Sequence, residues 1–158
     1  MQTLVLALGN PLRGDDGIGA AVIAALAEAH ILPTEVTLQD GGTPGLELVL
    51  SLQGYERVII VDAADMGQPP GTWARLDPTR LEARDLYLRG TLHYAGLAEA
   101  LQLAGALNLL PPEIIIFGVQ PAEIGWLPGL SPAVSAAIPD VCAAVRACLL
   151  EETPQKVD

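Results

Sequence analysis

The chain has 158 residues, and we expect one domain over residues 1–150 followed by a polar, frayed tail over residues 151–158. Its formal net charge of −11 predicts an acidic surface that repels phosphate backbones, which argues against nucleic acid binding. No apolar run approaches the ~20 residues that cross a bilayer, and the first residues do not resemble a signal peptide. We therefore expect a cytoplasmic protein without membrane contact. Cys142 and Cys148 lie in a late helical stretch and are interpreted as core thiols.

Three short runs are apolar almost throughout, which is typical of strands that are covered on both faces. These runs cover residues 3–8, 57–62 and 113–119. Residues 35–39 alternate apolar and polar side chains and predict a strand nearer one edge of a sheet. A weaker pattern at residues 72–76 predicts a strand at the other edge.

Helical periodicity of apolar residues separates these strands. It predicts helices over residues 17–29, 43–52 and 95–107, and a last helix that begins at Ser131. Ser131 is the expected N-cap, with Pro132 at the first helical position, and Pro139 predicts a kink or a division of this helix. The order β-α-β-α-β-β-α-β-α predicts a three-layer α/β/α sandwich around a largely parallel sheet.

Asp15 and Asp16 lie in a glycine-rich segment between the first strand and the first helix. A carboxylate at a helix N-terminus is well explained by capping of free N–H groups, so the structural interpretation accounts for one of the two. The second exceeds that need, and Asp16 is the candidate for function. A nucleotide-binding loop is disfavoured, because the segment lacks both the Lys-Ser/Thr of a P-loop and the Gly-x-Gly-x-x-Gly spacing.

Asp62 ends a buried strand and His93 immediately precedes the third helix. A carboxylate at such a position loses hydration unless it is paired, hydrogen-bonded or bound to a metal, although capping of the next turn explains it equally well. A lone loop histidine is also more often structural than catalytic, and His30 is interpreted as a cation at a helix C-terminus. Taken together, Asp16, Asp62 and His93 suit a borderline divalent ion such as nickel or zinc, with open coordination positions.

The chain resembles the hydrogenase maturation endopeptidase family, through motifs that follow the family order over nearly the whole sequence. The motifs are Leu8-Gly9-Asn10, Gly14-Asp15-Asp16-Gly17-Ile18-Gly19, Asp40-Gly41-Gly42-Thr43, Val61-Asp62-Ala63, His93-Tyr94-Ala95-Gly96-Leu97, Gly118-Val119-Gln120-Pro121 and Gly129-Leu130-Ser131-Pro132. The resemblance implies a phosphorylase/hydrolase-like fold, with a five-stranded mixed sheet in which the fourth strand runs antiparallel.

The resemblance also implies a function. Members of the family are endopeptidases that remove the C-terminal extension of the large-subunit precursor of a nickel–iron (NiFe) hydrogenase after nickel insertion. The family's metal-contacting residues correspond here to Asp16, Asp62 and His93, and some relatives carry Glu at the position of Asp16. These residues would complete the shell of a nickel ion presented by the substrate, so no permanently bound cofactor is expected. The catalytic group is left open: Asp16 or Asp62 could activate a water, or the metal could polarise the carbonyl.

Asp40, Gly41, Gly42 and Thr43 follow the second strand, and we assign them to binding of the substrate tail. A plain turn and cap is the alternative role for Asp40 and Thr43.

Two other functions compete with the protease. One is a non-proteolytic, metal-sensing chaperone of the hydrogenase precursor. The other is a small-molecule hydrolase or phosphorylase, which is disfavoured because the candidate loops supply Arg13 and little other positive charge.

Overall fold

The computed structural model describes residues 1–43, 45–76, 78 and 94–152. In this part of the chain five strands form one sheet in the order β2-β1-β3-β5-β4, in which β4 alone runs antiparallel to its neighbour. The strands are β1 (Thr3–Ala7), β2 (Val36–Asp40), β3 (Arg57–Ala63), β4 (Trp73–Leu76) and β5 (Glu113–Val119). The helices are a 3-10 helix (Gly14–Gly17), α1 (Ile18–Glu28), α2 (Glu47–Ser51), α3 (Tyr94–Ala106) and α4 (Pro132–Leu149). The predicted α/β class, the mixed sheet and both edge strands are confirmed.

The register of the sheet brings the ends of its parallel strands to one level. Ala7 at the end of β1 lies opposite both Asp40 of β2 and Val61 of β3, and Asp62 lies opposite Gly118 of β5. The segments that follow these strands therefore gather along one border of the sheet. We call this border the carboxyl edge; it comprises residues 8–17, 41–43, 62–68 and 120–131.

Both faces of the sheet are covered, which explains why the central strands are apolar throughout. On one face Val5, Ile59 and Val61 pack in a core that includes residues of α1 and α4. On the other face the core contains Leu6 and Ile60 together with residues of α2 and α3. Full burial of each of these aliphatic side chains contributes about 1.5–3 kcal/mol, so the layered core dominates the stability of the fold.

Helix α4 is unbroken from Pro132 to Leu149, so the predicted division at Pro139 is wrong. Pro139 is exposed, and the carbonyl group that its missing N–H leaves free can be hydrated there. By length and composition α4 could cross a membrane. Its inner side chains, which include Val134, Val141 and Val145, are fully buried in the core of the domain.

Helix α2 begins at Glu47, four residues later than the predicted start at residue 43. The backbone N–H groups of Leu48 and Val49 bond the carbonyl groups of Gly45 and Leu46. These are i→i+3 bonds, so the chain makes a tight turn before it enters the α-helix.

Arg57, the first residue of β3, ties the end of α4 to the border of the sheet where the parallel strands begin, which we call the amino edge. Its fully buried guanidinium pairs with Glu113 and donates hydrogen bonds to the carbonyl oxygens of Cys148, at 2.8 Å, and Glu151, at 3.0 Å. The Glu151 carboxylate pairs in turn with Arg75 at 2.7 Å. Glu151, which the sequence analysis assigns to the frayed tail, is thus held in place, whereas residues 153–158 of that tail lie outside the described residues.

Candidate functional site at the carboxyl edge

Asp16 is buried in the turn that follows β1, and a tight loop holds it there. One carboxylate oxygen, Oδ2, accepts a hydrogen bond of 2.8 Å from the backbone N–H of Asn10. Gly9 has a φ of +114°, and a Cβ at this position would lie 2.2 Å from the carbonyl oxygen of Asp16. Only glycine fits such a conformation and such a close approach, so Gly9 fixes the path of the chain to Asp16.

The first turn of α1 packs directly onto the ends of β1 and β3. A Cβ at Gly19 would lie 2.6 Å from the carbonyl oxygen of Val61 and 2.8 Å from that of Leu8. The backbone N–H of Leu8 also donates to the carbonyl of Val61 at 3.0 Å. The turn that carries Asp16 is thereby held beside the end of β3, where Asp62 lies.

Asp62 is completely buried within β3, which continues one residue beyond the predicted end, to Ala63. Because side chains alternate along a strand, Asp62 projects to the same face as Ile60, and this face is covered by α2 and α3. The structure therefore brings Asp16 and Asp62 to one edge of the sheet, as predicted.

His93 lies outside the described residues, so the predicted set of Asp16, Asp62 and His93 stays a prediction. Within residues 1–43, 45–76, 78 and 94–152, no group of three or more His, Cys, Asp or Glu side chains is placed to hold a metal ion. This observation does not test the set, because one of its three members is His93.

Asp15 has a different role from the helix cap that the sequence suggests. Its Oδ2 accepts hydrogen bonds from the backbone N–H groups of Ala122, at 2.8 Å, and Glu123, at 3.1 Å, and from the hydroxyl of Ser131 at 2.8 Å. Its Oδ1 accepts one from the Ser131 N–H at 2.7 Å. The capping interpretation is corrected: neither the 3-10 helix nor α1 has a side-chain cap, and Asp15 instead ties the start of α4 to the loop before it.

These hydrogen bonds set the charge of Asp15. Burial by itself would raise the pKa of the carboxyl group, but the N–H groups of Ser131 and Glu123, the Ser131 hydroxyl and the Ala122 N–H together lower it below 3.8. Asp15 is therefore an anion at neutral pH. Ser131 occupies the predicted N-cap position, but its hydroxyl bonds Asp15 and makes no cap to its own helix.

The loop that Asp15 holds, residues 122–131, presents an exposed aromatic side chain that the sequence analysis missed. Trp126 and Leu127 are 83% and 79% exposed. The guanidinium carbon of Arg13 lies 4.4 Å from the centre of the Trp126 ring, and Gly14 N–H donates to the Leu127 carbonyl at 2.8 Å. A cavity of about 280 Å³ lies between Gly14 and this loop. A tryptophan in a loop between a strand and a helix is the only sequence signal for this surface.

Asp40–Thr43 turn back onto the end of β1. The Oδ1 atom of Asp40 accepts a hydrogen bond from Gly42 N–H at 3.1 Å, Gly41 N–H donates to the Ala7 carbonyl, and Gly9 N–H donates to the Gly42 carbonyl. Asp40 therefore stabilises a turn, which is the structural role given as the alternative to binding of the substrate tail. A small cavity of about 130 Å³ lies beside Asp40, Gly41 and Thr43, and the predicted binding of a substrate tail remains a prediction.

Gln120 belongs to the motif Gly118-Val119-Gln120-Pro121, and its side chain holds the segment that follows Asp62. Its side-chain oxygen accepts hydrogen bonds from the N–H groups of Met66, at 2.6 Å, and Gln68, at 3.3 Å. Its side-chain nitrogen donates to Asp65 at 3.2 Å. This buried amide was not identified as a site residue from the sequence, and it helps to fix the backbone directly beyond the candidate site.

The fold and site define a three-layer α/β/α protein with three buried carboxylates, those of Asp15, Asp16 and Asp62, at the carboxyl edge of a mixed sheet. The family model for hydrogenase maturation proteases matches residues 20–147, and the chain belongs to this family. The hydrogenase 2 maturation protease of Escherichia coli K12 is 33% identical over 99% of this chain and 98% of its own length.

Solved structures show the same fold. The hydrogenase maturating endopeptidase HybD from E. coli superposes with a TM-score of 0.85 at 34% identity, over 94% of this chain and 92% of that one. The NiFe hydrogenase maturation protease HybD from Thermococcus kodakarensis gives 0.80 at 28% identity, over 94% and 99%. The hydrogenase expression/formation protein HupD of Rhodobacter capsulatus is 36% identical over 87% of this chain. The chain spans 66% of the length of that relative and 56% of the HupD protein of Thiocapsa roseopersicina.

Proposed function

We propose that this chain is an endopeptidase that removes the C-terminal extension from the large-subunit precursor of a nickel–iron hydrogenase after nickel insertion. The observation that supports this most directly is the pair of buried carboxylates Asp16 and Asp62 in a member of the hydrogenase maturation protease family. Asp16 lies in the 3-10 helix that follows β1, and Asp62 lies near the end of the neighbouring strand β3. Buried carboxylates at a sheet edge supply both a base for a water molecule and ligands for a divalent ion.

Recognition of nickel in the substrate explains why cleavage would wait for metal insertion. In this proposal Asp16, Asp62 and His93 complete the coordination of a nickel ion that the precursor presents, so the ion is part of the substrate. The hydrogen bond from Asn10 N–H to Asp16 orients one carboxylate, as partners of metal ligands commonly do. The chain itself keeps no permanently bound metal, and Asp16 or Asp62 activates the attacking water.

The turn Asp40–Thr43 is proposed to hold the tail of the precursor. It lies at the same edge as Asp16, because Gly9 N–H bonds the Gly42 carbonyl. Glycines at 41 and 42 leave the backbone open to contact with a peptide. We place the reaction in the cytoplasm, where the free thiols of Cys142 and Cys148 are compatible with the reducing conditions.

The test uses the purified protein with hydrogenase large-subunit precursor in nickel-loaded and nickel-free forms. The intact mass of the precursor is followed for the wild type and for the Asp16→Asn, Asp62→Asn and His93→Ala variants. Asp65→Asn is the matched control, since Asp65 follows the same strand but is exposed and lies outside the proposed set. We expect loss of a C-terminal peptide from the nickel-loaded form alone, at rates at least ~100-fold lower in the three site variants.

Two outcomes would overturn the proposal. Binding of the precursor without any change in its mass would favour the metal-sensing chaperone. Cleavage of both precursor forms by the three site variants, at the wild-type rate, would show that the reaction takes place elsewhere on the chain.

A further inference from the structure

Two segments with exposed side chains beside the candidate site, residues 12–13 and 126–127, meet where Arg13 lies over the ring of Trp126. Leu12, which precedes Arg13 in the chain, is 64% exposed, and the guanidinium carbon of Arg13 lies 4.4 Å from the centre of the Trp126 ring. Tryptophan and arginine are the residues most enriched among energetic hot spots of protein interfaces. A tryptophan with most of its surface in water is costly to solvate, which makes a binding role for this group of residues the simplest explanation.

Arg13 gives this surface a chemical preference. Among the described residues it makes no ion pair, whereas Arg57 and Arg75 are both paired, and its Nε is buried without a hydrogen-bond partner in that part of the chain. The chain carries a net charge of −11, so a guanidinium that makes no ion pair among the described residues is unusual in this protein. A guanidinium stacked on an indole can still bind a carboxylate through two parallel hydrogen bonds, here from its two terminal NH₂ groups, because Nε is buried.

The surface is also rigidly connected to the candidate site. Asp15 N–H bonds the Glu123 carbonyl at 3.1 Å, and the Asp15 carboxylate receives four hydrogen bonds from residues 122, 123 and 131. Arg13, in turn, accepts a hydrogen bond from Asp16 N–H on its carbonyl oxygen. The exposed loop and the turn that carries Asp16 are thus one unit.

We propose that Leu12, Arg13, Trp126 and Leu127, which we call the Trp126 platform, dock the folded body of the precursor. The platform takes an apolar segment that carries an acidic side chain, whose carboxylate binds Arg13. This inference rests on the proposed function and adds a recognition surface separate from the nickel-binding residues. The tail is assigned to Asp40–Thr43, which follow the edge strand β2. We therefore assign to the platform a part of the precursor that remains after cleavage.

The test compares Trp126→Ala and Arg13→Ala with the wild type on nickel-loaded precursor. We expect KM to rise about tenfold or more in each variant, with kcat changed by less than about twofold, because hot-spot side chains contribute binding energy away from the reacting bond. Arg13→Lys is expected to be intermediate, since it keeps the charge and loses the planar fork. The weakening of binding by added salt should be smaller for Arg13→Ala than for the wild type.

Matched controls come from the opposite edge of the sheet. Leu150→Ala removes a leucine that is 82% exposed, and Arg146→Ala removes a partly exposed cation near the end of α4. Neither is expected to change KM. Leu127→Asp places a negative charge on the platform, which repels the acidic side chain of the docked segment, and it provides a further variant if Trp126→Ala lowers the melting temperature.

The position of the occupant is tested with the mature large subunit, which lacks the tail. Trp126→Ala should weaken binding of precursor and mature subunit by the same factor, whereas an effect on the precursor alone would show that the platform holds the tail and would overturn the assignment. Unchanged KM in Arg13→Ala, Trp126→Ala and Leu127→Asp, with an active wild type, would exclude the platform as a docking surface. A wild type that cleaves no precursor would instead contradict the proposed function.

Discussion

The carboxylate of Asp15 accepts two hydrogen bonds from Ser131, one from its backbone N–H at 2.7 Å and one from its hydroxyl at 2.8 Å. The two residues are 116 positions apart in the chain. Their contact joins the turn after β1 to the first residue before α4, so elements from the two ends of the sequence share one charged hydrogen-bond centre. Hydrogen bonds to an ionised group are stronger than neutral ones, which makes this centre a main support of the carboxyl edge.

Asp15→Asn should therefore destabilise the fold. An amide keeps one acceptor oxygen but turns an NH₂ group towards donors, so we expect the free energy of unfolding to fall by about 2–4 kcal/mol. Ser131→Ala removes the hydroxyl and keeps the N–H, and it should cost only about 1 kcal/mol. Urea unfolding at pH 7 measures both. Equal losses in the two variants would mean that the ionised carboxylate is not the source of the stability.

The contribution of Asp15 to the free energy of unfolding is also expected to depend on pH. Because the folded pKa of Asp15 lies below 3.8, its contribution to stability is complete above that value and is lost as the pH falls through the lower, folded pKa. The difference in stability between wild type and Asp15→Asn should thus narrow as the pH is lowered below 3.8. Unfolding curves of the two proteins at several acidic pH values give this difference, and a gap that widens on acidification would contradict the prediction.

Arg57 and Arg75 offer a matched comparison at the amino edge. Arg57→Ala leaves Glu113 and two carbonyl groups without their buried partner, and we expect a loss of about 3–5 kcal/mol. Arg75→Ala breaks a pair with Glu151 whose side chains are 40% and 46% exposed, and such a pair contributes about 0–1 kcal/mol. Chemical unfolding measures the loss of unfolding free energy in each variant. Similar losses in Arg57→Ala and Arg75→Ala would show that the buried network does not anchor the end of α4.

Gly9→Ala is expected to disturb Asp16, because the new Cβ would lie 2.2 Å from the Asp16 carbonyl oxygen. Gly54→Ala is the control: Gly54 also has a positive φ, of +84°, but its added Cβ would meet nothing within 4 Å. Both variants bear the cost of the left-handed backbone, about 1 kcal/mol. Gly9→Ala should in addition lower precursor cleavage strongly, whereas Gly54→Ala should leave it near the wild-type rate. Equal activities would mean that the loop relaxes without moving Asp16.

The two thiols should be unreactive in the folded protein. Burial raises the pKa of Cys142 and of Cys148 above the ordinary value of 9.0, and both side chains are inaccessible in the core. A thiol-reactive reagent at pH 7.5 is expected to modify neither cysteine in the native state and both after unfolding in urea. Rapid labelling of the native protein would show that the end of α4 opens readily.

The strands could be predicted from the sequence because burial on both faces leaves a continuous apolar run. Five of the ten predicted limits differ by one residue from the observed ones, because strand pairing and hydrophobicity end at different residues. They are the ends of β1, β2 and β3 at Ala7, Asp40 and Ala63 and the starts of β2 and β4 at Val36 and Trp73. The start of α2 and the continuity of α4 through Pro139 could not be predicted. Both depend on the local turn geometry and on which side of a helix faces water.

Part of the site was also predictable. Asp62 ends an apolar run, and Asp16 is the second of two adjacent carboxylates in the glycine-rich segment after the first strand. Both follow parallel strands, so they were expected at the same edge of the sheet. The role of Asp15 was not predictable, since its partners are more than 100 residues away in sequence. The same holds for Gln120, which binds a segment more than 50 residues earlier in the chain. The exposure of Trp126 follows from the folded path of residues 122–131, and no periodicity encodes it.

Asp15 and Asp16 are neighbours, so the carboxylate that ties down residues 122–131 and the carboxylate of the candidate site share one peptide unit. Any movement of the loop that carries Trp126 is thereby transmitted to Asp16. The distance from the platform to Asp16 and Asp62 is then expected to stay the same in every enzyme molecule. If the platform docks the precursor as proposed, we expect the position of the cut to be set by its distance from the docked segment more than by the residues that flank the bond.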